Sequence, residues 1–509
     1  MSVAEPAAQA ATAAVAATAA QAEPAAVAAT AAQAEPAAQA ATAAGVAPAA
    51  EPIDPRVWRI CAVVLLGPLM AQMDATVVNV SLSAIRQDLG ASIQSAQWII
   101  GGYLLALALT LPLNAWLVDR VGAKRLYLAC FSAFTLASVL CGAATTMPQL
   151  VGARVLQGAA GGLLAPMAQM MIARIAGRHM ARLIGYSAMP ILLAPIVGPS
   201  VAGAILKYAA WPWLFYVNLP IGLLAVVLAV RLLPRDEPPA HKRGFDFAGF
   251  LLISPGLAAL LYGLDHVADA RGLVAGATGL ALLGAFVLHA RRRKEHALID
   301  LRLFRVRVLR VAVATQSLSN AAAFAGQMLV PLFLIAGCGL SATHAGLILA
   351  PMGLGMLCAF PAMGWMTERF GCRAVASTGA LLTVLGTSAM LWMSRGAFSP
   401  ALMAACLLLR GAGQGATGVP AVSAGYAAVP KAQLPLATTA ANIAQRIGGP
   451  IGTTLLALVI SASAAGLRPA SPGAFTTAFA ALLALQVLVL AVATRLPIRI
   501  HPPGADARP

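Results

Sequence analysis

Asp74 is an ionisable carboxylate in the middle of a long apolar run that begins near Trp58, inside the stretch Met73-Asp74-Ala75-Thr76-Val77-Val78-Asn79. Charge at membrane depth costs roughly 2.5–3.5 kcal/mol on insertion scales and marks an ion or proton pathway. A second ionisable group, Arg154, lies in another apolar run and is followed by Gln157-Gly158 and Gly161-Gly162. Glycines at that spacing let helices approach closely. An arginine set against a buried carboxylate opposes the effect of burial on its protonation. A site pulled both ways exchanges a proton when the arginine moves. The plainer alternatives are an Asp at a helix end facing water and an arginine satisfied by backbone carbonyls.

The elements that must hold these groups follow from composition. The 509 residues are 60% hydrophobic and 10% charged, against about a quarter charged in a soluble domain. Apolar runs of about 20 residues recur from Trp58 to Arg495, the pattern of an all-α polytopic membrane protein. Fourteen spans are predicted, at about 58–82, 97–118, 126–146, 148–172, 182–206, 213–234, 246–265, 272–290, 309–336, 343–366, 374–394, 399–424, 434–463 and 473–495. On these bounds Asp74 and Arg154 differ in depth by about 3 Å, so they can meet across spans 1 and 4.

The net charge of +17 invites a nucleic-acid partner, and its distribution argues against one. With the N- and C-termini in the cytoplasm, 26 of the 34 basic residues fall in cytoplasmic segments. Arg86, Lys207, Arg271, Arg395 and Arg468 fall outside, and Arg154, Arg410 and Arg446 fall within spans. That asymmetry is the positive-inside pattern. The basic loop Arg291–Arg310 reads as a topology anchor that also touches membrane lipids. The seven cysteines show neither a CxxC nor a metal-ligand spacing, so no metal site, disulfide framework or cofactor is expected.

Residues 1–52 are Ala-rich, with VAATAAQAEPAA at Val15–Ala26 and again at Val27–Ala38. Such composition reads as a low-complexity, disordered tail without a packed core. It lacks the basic start of a signal peptide, so no cleavage is expected.

Three features recur at nearly one offset. Asp119-Arg120-Val121-Gly122-Ala123-Lys124-Arg125 follows span 2, and Glu368-Arg369-Phe370-Gly371-Cys372-Arg373 follows span 10. Arg154 of span 4 is matched by Arg410 of span 12, and Gly198-Pro199 of span 5 by Gly449-Pro450 of span 13. The spacing predicts two homologous six-helix bundles, 57–235 and 300–496, with two inserted helices at 245–290 and a cytoplasmic tail at 497–509. Halves related by an axis along the membrane normal suit alternating access. The paired turns read as a cytoplasmic latch of Asp119, Arg120, Gly122, Arg125, Glu368, Arg369, Gly371 and Arg373. Their acids can cap a helix or pair with a base of the other half, and their glycines allow the turn. Span 5, with Pro190, Pro195 and Pro199 around Gly198 and Gly203, reads as a bendable gate helix or a static kinked one.

Together these residues resemble the 14-span drug:proton antiporters of the major facilitator superfamily, EmrB/QacA type, over 57–495. The motif LDxTxVNVALP is matched by Met73–Ser83, with Ser83 in place of proline. Trp98 and Tyr103 match WxxxxY. The signature WRWIFxxNxPIG is matched by Trp211–Gly222, and Phe245-Asp246-Phe247-Ala248-Gly249 resembles the opening of the first inserted helix. Span 5 resembles gxxxGPxxGG, with Ala194 and Ala202 replacing two glycines. The resemblance implies that Asp74 carries the proton and Arg154 modulates it. Gln72, Asn79, Trp98, Tyr103 and Gln157 would line the substrate cavity. Polar Gln316, Asn320 and Gln327 of span 9 would join them. Met70, Met73, Met167, Met170 and Met171 would give an adaptable surface or serve as lipid-facing filler.

The expected function is proton-coupled export of lipophilic, drug-like compounds across the bacterial cytoplasmic membrane, driven by the proton gradient. A dedicated exporter or importer of one metabolite, such as a siderophore, sugar or amino acid, is the alternative. A membrane sensor or enzyme is a third reading that no catalytic cluster supports. Substrate charge and a periplasmic adaptor stay open.

Overall fold

The computed structural model describes residues 53–236, 244–267, 269–396, 398–464 and 472–498. The predicted N-terminal tail and the C-terminal tail beyond residue 498 lie outside them. The described residues form α-helices, with short 3-10 and π turns and no strand among them. In chain order the helices are α1 (Pro55–Asp88), α2 (Ile93–Thr110), α3 (Asn114–Val121), α4 (Ala123–Gly142), α5 (Met147–Ala176), α6 (Met180–Tyr208), α7 (Trp213–Tyr216) and α8 (Asn218–Leu232). There follow α9 (Phe247–Asp265), α10 (Ala270–Arg293), α11 (Arg307–Leu332), α12 (Ala342–Phe370), α13 (Cys372–Met393), α14 (Pro400–Ala427), α15 (Leu434–Ala464) and α16 (Pro472–Ala493). Twelve helical segments among the described residues are long and apolar enough to cross a membrane, α2 with α3 and α7 with α8 each counting as one. Two further helices, α6 and α14, are 29 and 28 residues long. The protein is a multi-span membrane protein.

Local chemistry sets the helix ends. Ser92, Thr146, Ser341 and Ser399 accept hydrogen bonds from the first turns of α2, α5, α12 and α14, satisfying amides that a helix start leaves free. Pro148 and Pro400 stand in the first turns of α5 and α14, where a missing N–H costs nothing. The turns before α4 and α13 pivot on Gly122 and Gly371, whose φ of 97° and 87° few other residues adopt.

Helix pairing repeats in the two halves. In the first, α1 packs on α6, α2 on α5, and α4 on both α5 and α8. In the second, α11 packs on α15, α12 on α14, and α13 on both α14 and α16. Small residues make these seams close. A Cβ on Gly162 would lie 3.0 Å from Leu107 Cα, and one on Gly411 would strike the Met352 carbonyl. Each half has its own apolar core, around Phe215, Leu150 and Ile99 in the first and around Phe333, Phe475 and Phe479 in the second.

Helices α9 and α10 form a hairpin, and α9 packs against α2 and α15. Asp246 anchors it. Its buried carboxylate accepts from the amides of Gly249 and Leu298, at 3.0 Å each, and lies 2.8 Å from His289 Nε2. Burial pushes the Asp246 carboxyl up, but the His289 ring and the two amides outweigh it and hold the group below the usual carboxylate range.

Candidate functional site

Side chains from α1, α4, α5 and α8 form one hydrogen-bonded cluster around Asp74. It is 2% exposed on α1, and Arg154 on α5 is 1% exposed. Arg154 Nη1 donates to Asp74 Oδ2. Gln157, one turn further along α5, donates from Nε2 to Asp74 Oδ1 at 2.9 Å, and Asn218 at the start of α8 donates from Nδ2 to the same oxygen at 3.1 Å. Ser138 of α4 closes the ring. Its hydroxyl accepts from Gln157 at 3.0 Å and from Asn218 at 2.9 Å, and donates to the Phe215 carbonyl at 3.3 Å.

Arg154 is fully engaged. Nε donates to the Ile99 carbonyl at 3.2 Å, and Nη1 also donates to Gln157 Oε1 at 2.7 Å. The guanidinium lies 4.2 Å from the Tyr103 ring centroid and 5.9 Å from that of Phe215. Two buried charges are tolerable because each is paired and hydrogen-bonded. Removing one partner of such a pair typically costs about 3–5 kcal/mol.

The same cage touches the helix with the three prolines. A Cβ on Gly198 would lie 2.7 Å from Thr76 Cγ2, so α6 packs against α1 two residues from Asp74. Helix α6 then continues to the other half. Gly364 of α12 lies against α6, where its Cβ would be 3.0 Å from the Ala181 carbonyl, and Arg182 Nη2 reaches Glu368 Oε2 at 2.9 Å. His179 Nδ1 lies 3.8 Å from the other Glu368 oxygen. Further bonds join the halves at that end. Asn114 donates to Thr439 at 3.0 Å, and Gln169 Oε1 accepts from Tyr426 and Asn442 at 2.8 Å each.

The major facilitator superfamily model matches residues 64–453 and 313–506. The chain is 35% identical over 419 residues to a multidrug resistance protein B homolog of Mycobacterium tuberculosis, which spans 81% of this chain and 77% of that relative. The chain belongs to the major facilitator superfamily. The superfamily fold recurs in a proton:xylose symporter, with a TM-score of 0.58, 16% identity and coverage of 86% and 94% of the two chains. It recurs also in the human organic anion transporter MFSD10, with a TM-score of 0.57, 16% identity and coverage of 86% and 100%.

Set in the superfamily fold, the sequence-derived residues separate. Asp74 and Arg154 are brought together. Gln157 and Tyr103 are buried beside the ion pair. Gln72, Asn79, Trp98 and Gln327 are exposed. Asn320 is tied to the Gln445 carbonyl at 2.7 Å, and the half-buried Gln316 has an oxygen without a partner. Met70, Met167, Met170 and Met171 are buried and so do not face lipid.

Of the latch residues, Glu368 pairs with the other half. Gly122 and Gly371 make the turns, and Arg120 and Arg125 are exposed. Arg369 sits over Trp365, 5.3 Å from its ring centroid. Arg373 Nε donates to the Leu496 carbonyl at 2.7 Å. The gate residues Pro195, Gly198, Pro199 and Gly203 all lie within α6. Gly198 makes the close approach expected of it. Gly203 does not, because no atom comes within 4 Å of a Cβ built there.

Ser138, Asn218, Phe215, Arg182 and Asp236 carry site geometry that the sequence reading assigned no role. Asn218 and Phe215 come from the loop signature Trp211–Gly222, whose Trp211 also donates to Asp88 at 2.6 Å. Arg182 supplies the cross-half bond. Asp236 caps the first turn of α4, accepting from the amides of Lys124 and Arg125 at 2.7 and 3.1 Å.

Proposed function

We propose that the chain is a proton-coupled antiporter that exports lipophilic, drug-like compounds across the bacterial cytoplasmic membrane by alternating access. The observation that carries this reading is the buried Asp74–Arg154 pair in a helix cage that abuts α6. Multidrug resistance relatives at 35% identity support the substrate class. In this reading α6 and α14 also span the membrane, giving fourteen spans, and both termini lie in the cytoplasm. The proton gradient supplies the energy without a cofactor.

The pathway of coupling runs along α6. Gly198, beside Asp74, and Arg182, bonded to Glu368, are 16 residues apart, about 24 Å of helix. Protonation of Asp74 removes the negative half of its pair with Arg154 and weakens the bonds from Gln157 and Asn218. Helix α1 then shifts against α6. Because α6 is continuous with the Arg182–Glu368 contact, that shift opens the end of the molecule at which the halves are joined. With that end cytoplasmic, the bonds that Asn114 and Arg182 donate and that Gln169 accepts hold an outward-directed state shut toward the cell interior. Release of the proton inward restores the cage.

Proteoliposomes with an imposed pH gradient test the proposal. A lipophilic cationic dye and a neutral lipophilic compound should each move uphill against the proton flux, and a protonophore should stop both. Uphill transport of a single polar metabolite, with neither lipophilic probe moved, supports a dedicated carrier. Flux indifferent to the gradient would overturn proton coupling.

A further inference from the structure

The second half repeats the architecture around Asp74 and lacks its acid. Arg410 on α14 corresponds to Arg154 and is 3% exposed. Its guanidinium has no carboxylate within ion-pair distance among the described residues, and its one hydrogen bond among them runs from Nη1 to Met390 Sδ at 3.6 Å. The place of Asp74 on α1 is taken on α11 by Gly326, 252 residues later, within the offsets of 249 to 256 that relate the other repeated features. A Cβ on Gly326 would overlap Arg410 Nη2, so a side chain there requires the guanidinium to move aside. The second half therefore keeps the arginine and replaces the carboxylate with hydrogen.

Beside that arginine is a cavity of about 20 Å³, room for one water-sized particle. It is lined by Ser319 and Gln414, neither of which has a side-chain partner among the described residues, and by Gln486. Gln486 is 2% exposed and its amide oxygen is unpartnered. A half-turn of that amide presents two N–H donors to the same space. Thr383 and Thr417 also line it, with hydroxyls already donated to the carbonyls of Ala380 and Gly413. A buried cation without a counter-charge is costly. The cavity offers what a small anion needs, namely a guanidinium, a hydroxyl and amide donors.

We propose that this cavity binds a chloride-sized monovalent anion, whose charge stands toward Arg410 as the Asp74 carboxylate stands toward Arg154. The anion neutralises the second half as Asp74 neutralises the first. It is not transported with the proton, and its occupancy does not depend on which compound the protein exports.

The test is thermal unfolding of the purified full-length protein in potassium chloride, potassium bromide and potassium gluconate at equal ionic strength. Chloride and bromide should raise the midpoint saturably above gluconate, which is too large for the cavity. Gly326→Asp supplies a resident carboxylate and should melt at one temperature in all three salts. Arg410→Gln should also lose the halide response. An identical wild-type midpoint in the three salts overturns the proposal. So does a full halide response in Gly326→Asp, because a nonspecific salt effect survives that substitution.

Discussion

Asn218, at the first position of α8, places its amide nitrogen 3.1 Å from the Asp74 carboxylate and 2.9 Å from the Ser138 hydroxyl. One neutral side chain thus links α8 to the buried charge of α1. Hydrogen bonds to charged groups contribute about 1.5–3 kcal/mol. Asn218→Ala should lower thermal stability by about that amount and slow proton-coupled transport. Asn218→Ser, which keeps a donor at shorter reach, should recover part of both. If Asn218→Ala leaves melting and flux at wild-type values, the residue is a helix-start residue and no part of the cage.

Glu368→Gln should loosen the joined end of the halves. The Arg182–Glu368 pair is partly exposed, and such pairs are worth about 0.2–1 kcal/mol. That is at most roughly a fivefold change in the opening equilibrium. A cysteine introduced at Gln169, which bonds across the halves at the same end, should react faster with a membrane-impermeant thiol reagent applied from the cytoplasm. Equal labelling rates would reduce Glu368 to a turn residue.

The inserted hairpin should show an acid-sensitive contribution to stability. The carboxyl of Asp246 is held below its ordinary value. Its stabilisation is therefore present above the unfolded-state pKa of about 3.9 and is lost as pH falls through the lower, folded-state value. Asp246→Asn should melt below wild type at pH 7, and the gap should close in the window below about pH 4. A gap that stays constant through that window would mean the charge of Asp246 adds nothing to the anchor.

The all-helical fold, the two-half repeat and the Asp74–Arg154 meeting were legible because charges stand out in apolar runs and depth follows from distance to a span end. Gln157 carried a signal that went unused. Three residues from Arg154, it lies on the same helical face and turns toward the same partner. Asn218 was illegible by chemistry, since a neutral amide inside a loop signature shows no cost that demands a partner. Arg182 was hidden by its position, because a base at the start of a span reads as a topology anchor. A cavity wall is not legible from the sequence in the same way. Polar residues scattered over α1, α2 and α11 share a cavity only if their faces do, and apolar runs without clear periodicity do not fix the faces. Gly203 shows the converse limit. A small residue permits close packing without requiring it.

The central claim is that Asp74 carries the proton. Substrate-induced proton release, measured on the solubilised protein in weak buffer, tests it most directly. Asp74→Asn keeps the size of the side chain and an acceptor for Gln157 and Asn218, but it has no proton to release near neutral pH. Wild-type protein should release protons on adding a transported lipophilic compound, and Asp74→Asn should bind that compound and release none. Proton release of wild-type size from Asp74→Asn would contradict the claim and move the carrier to another group.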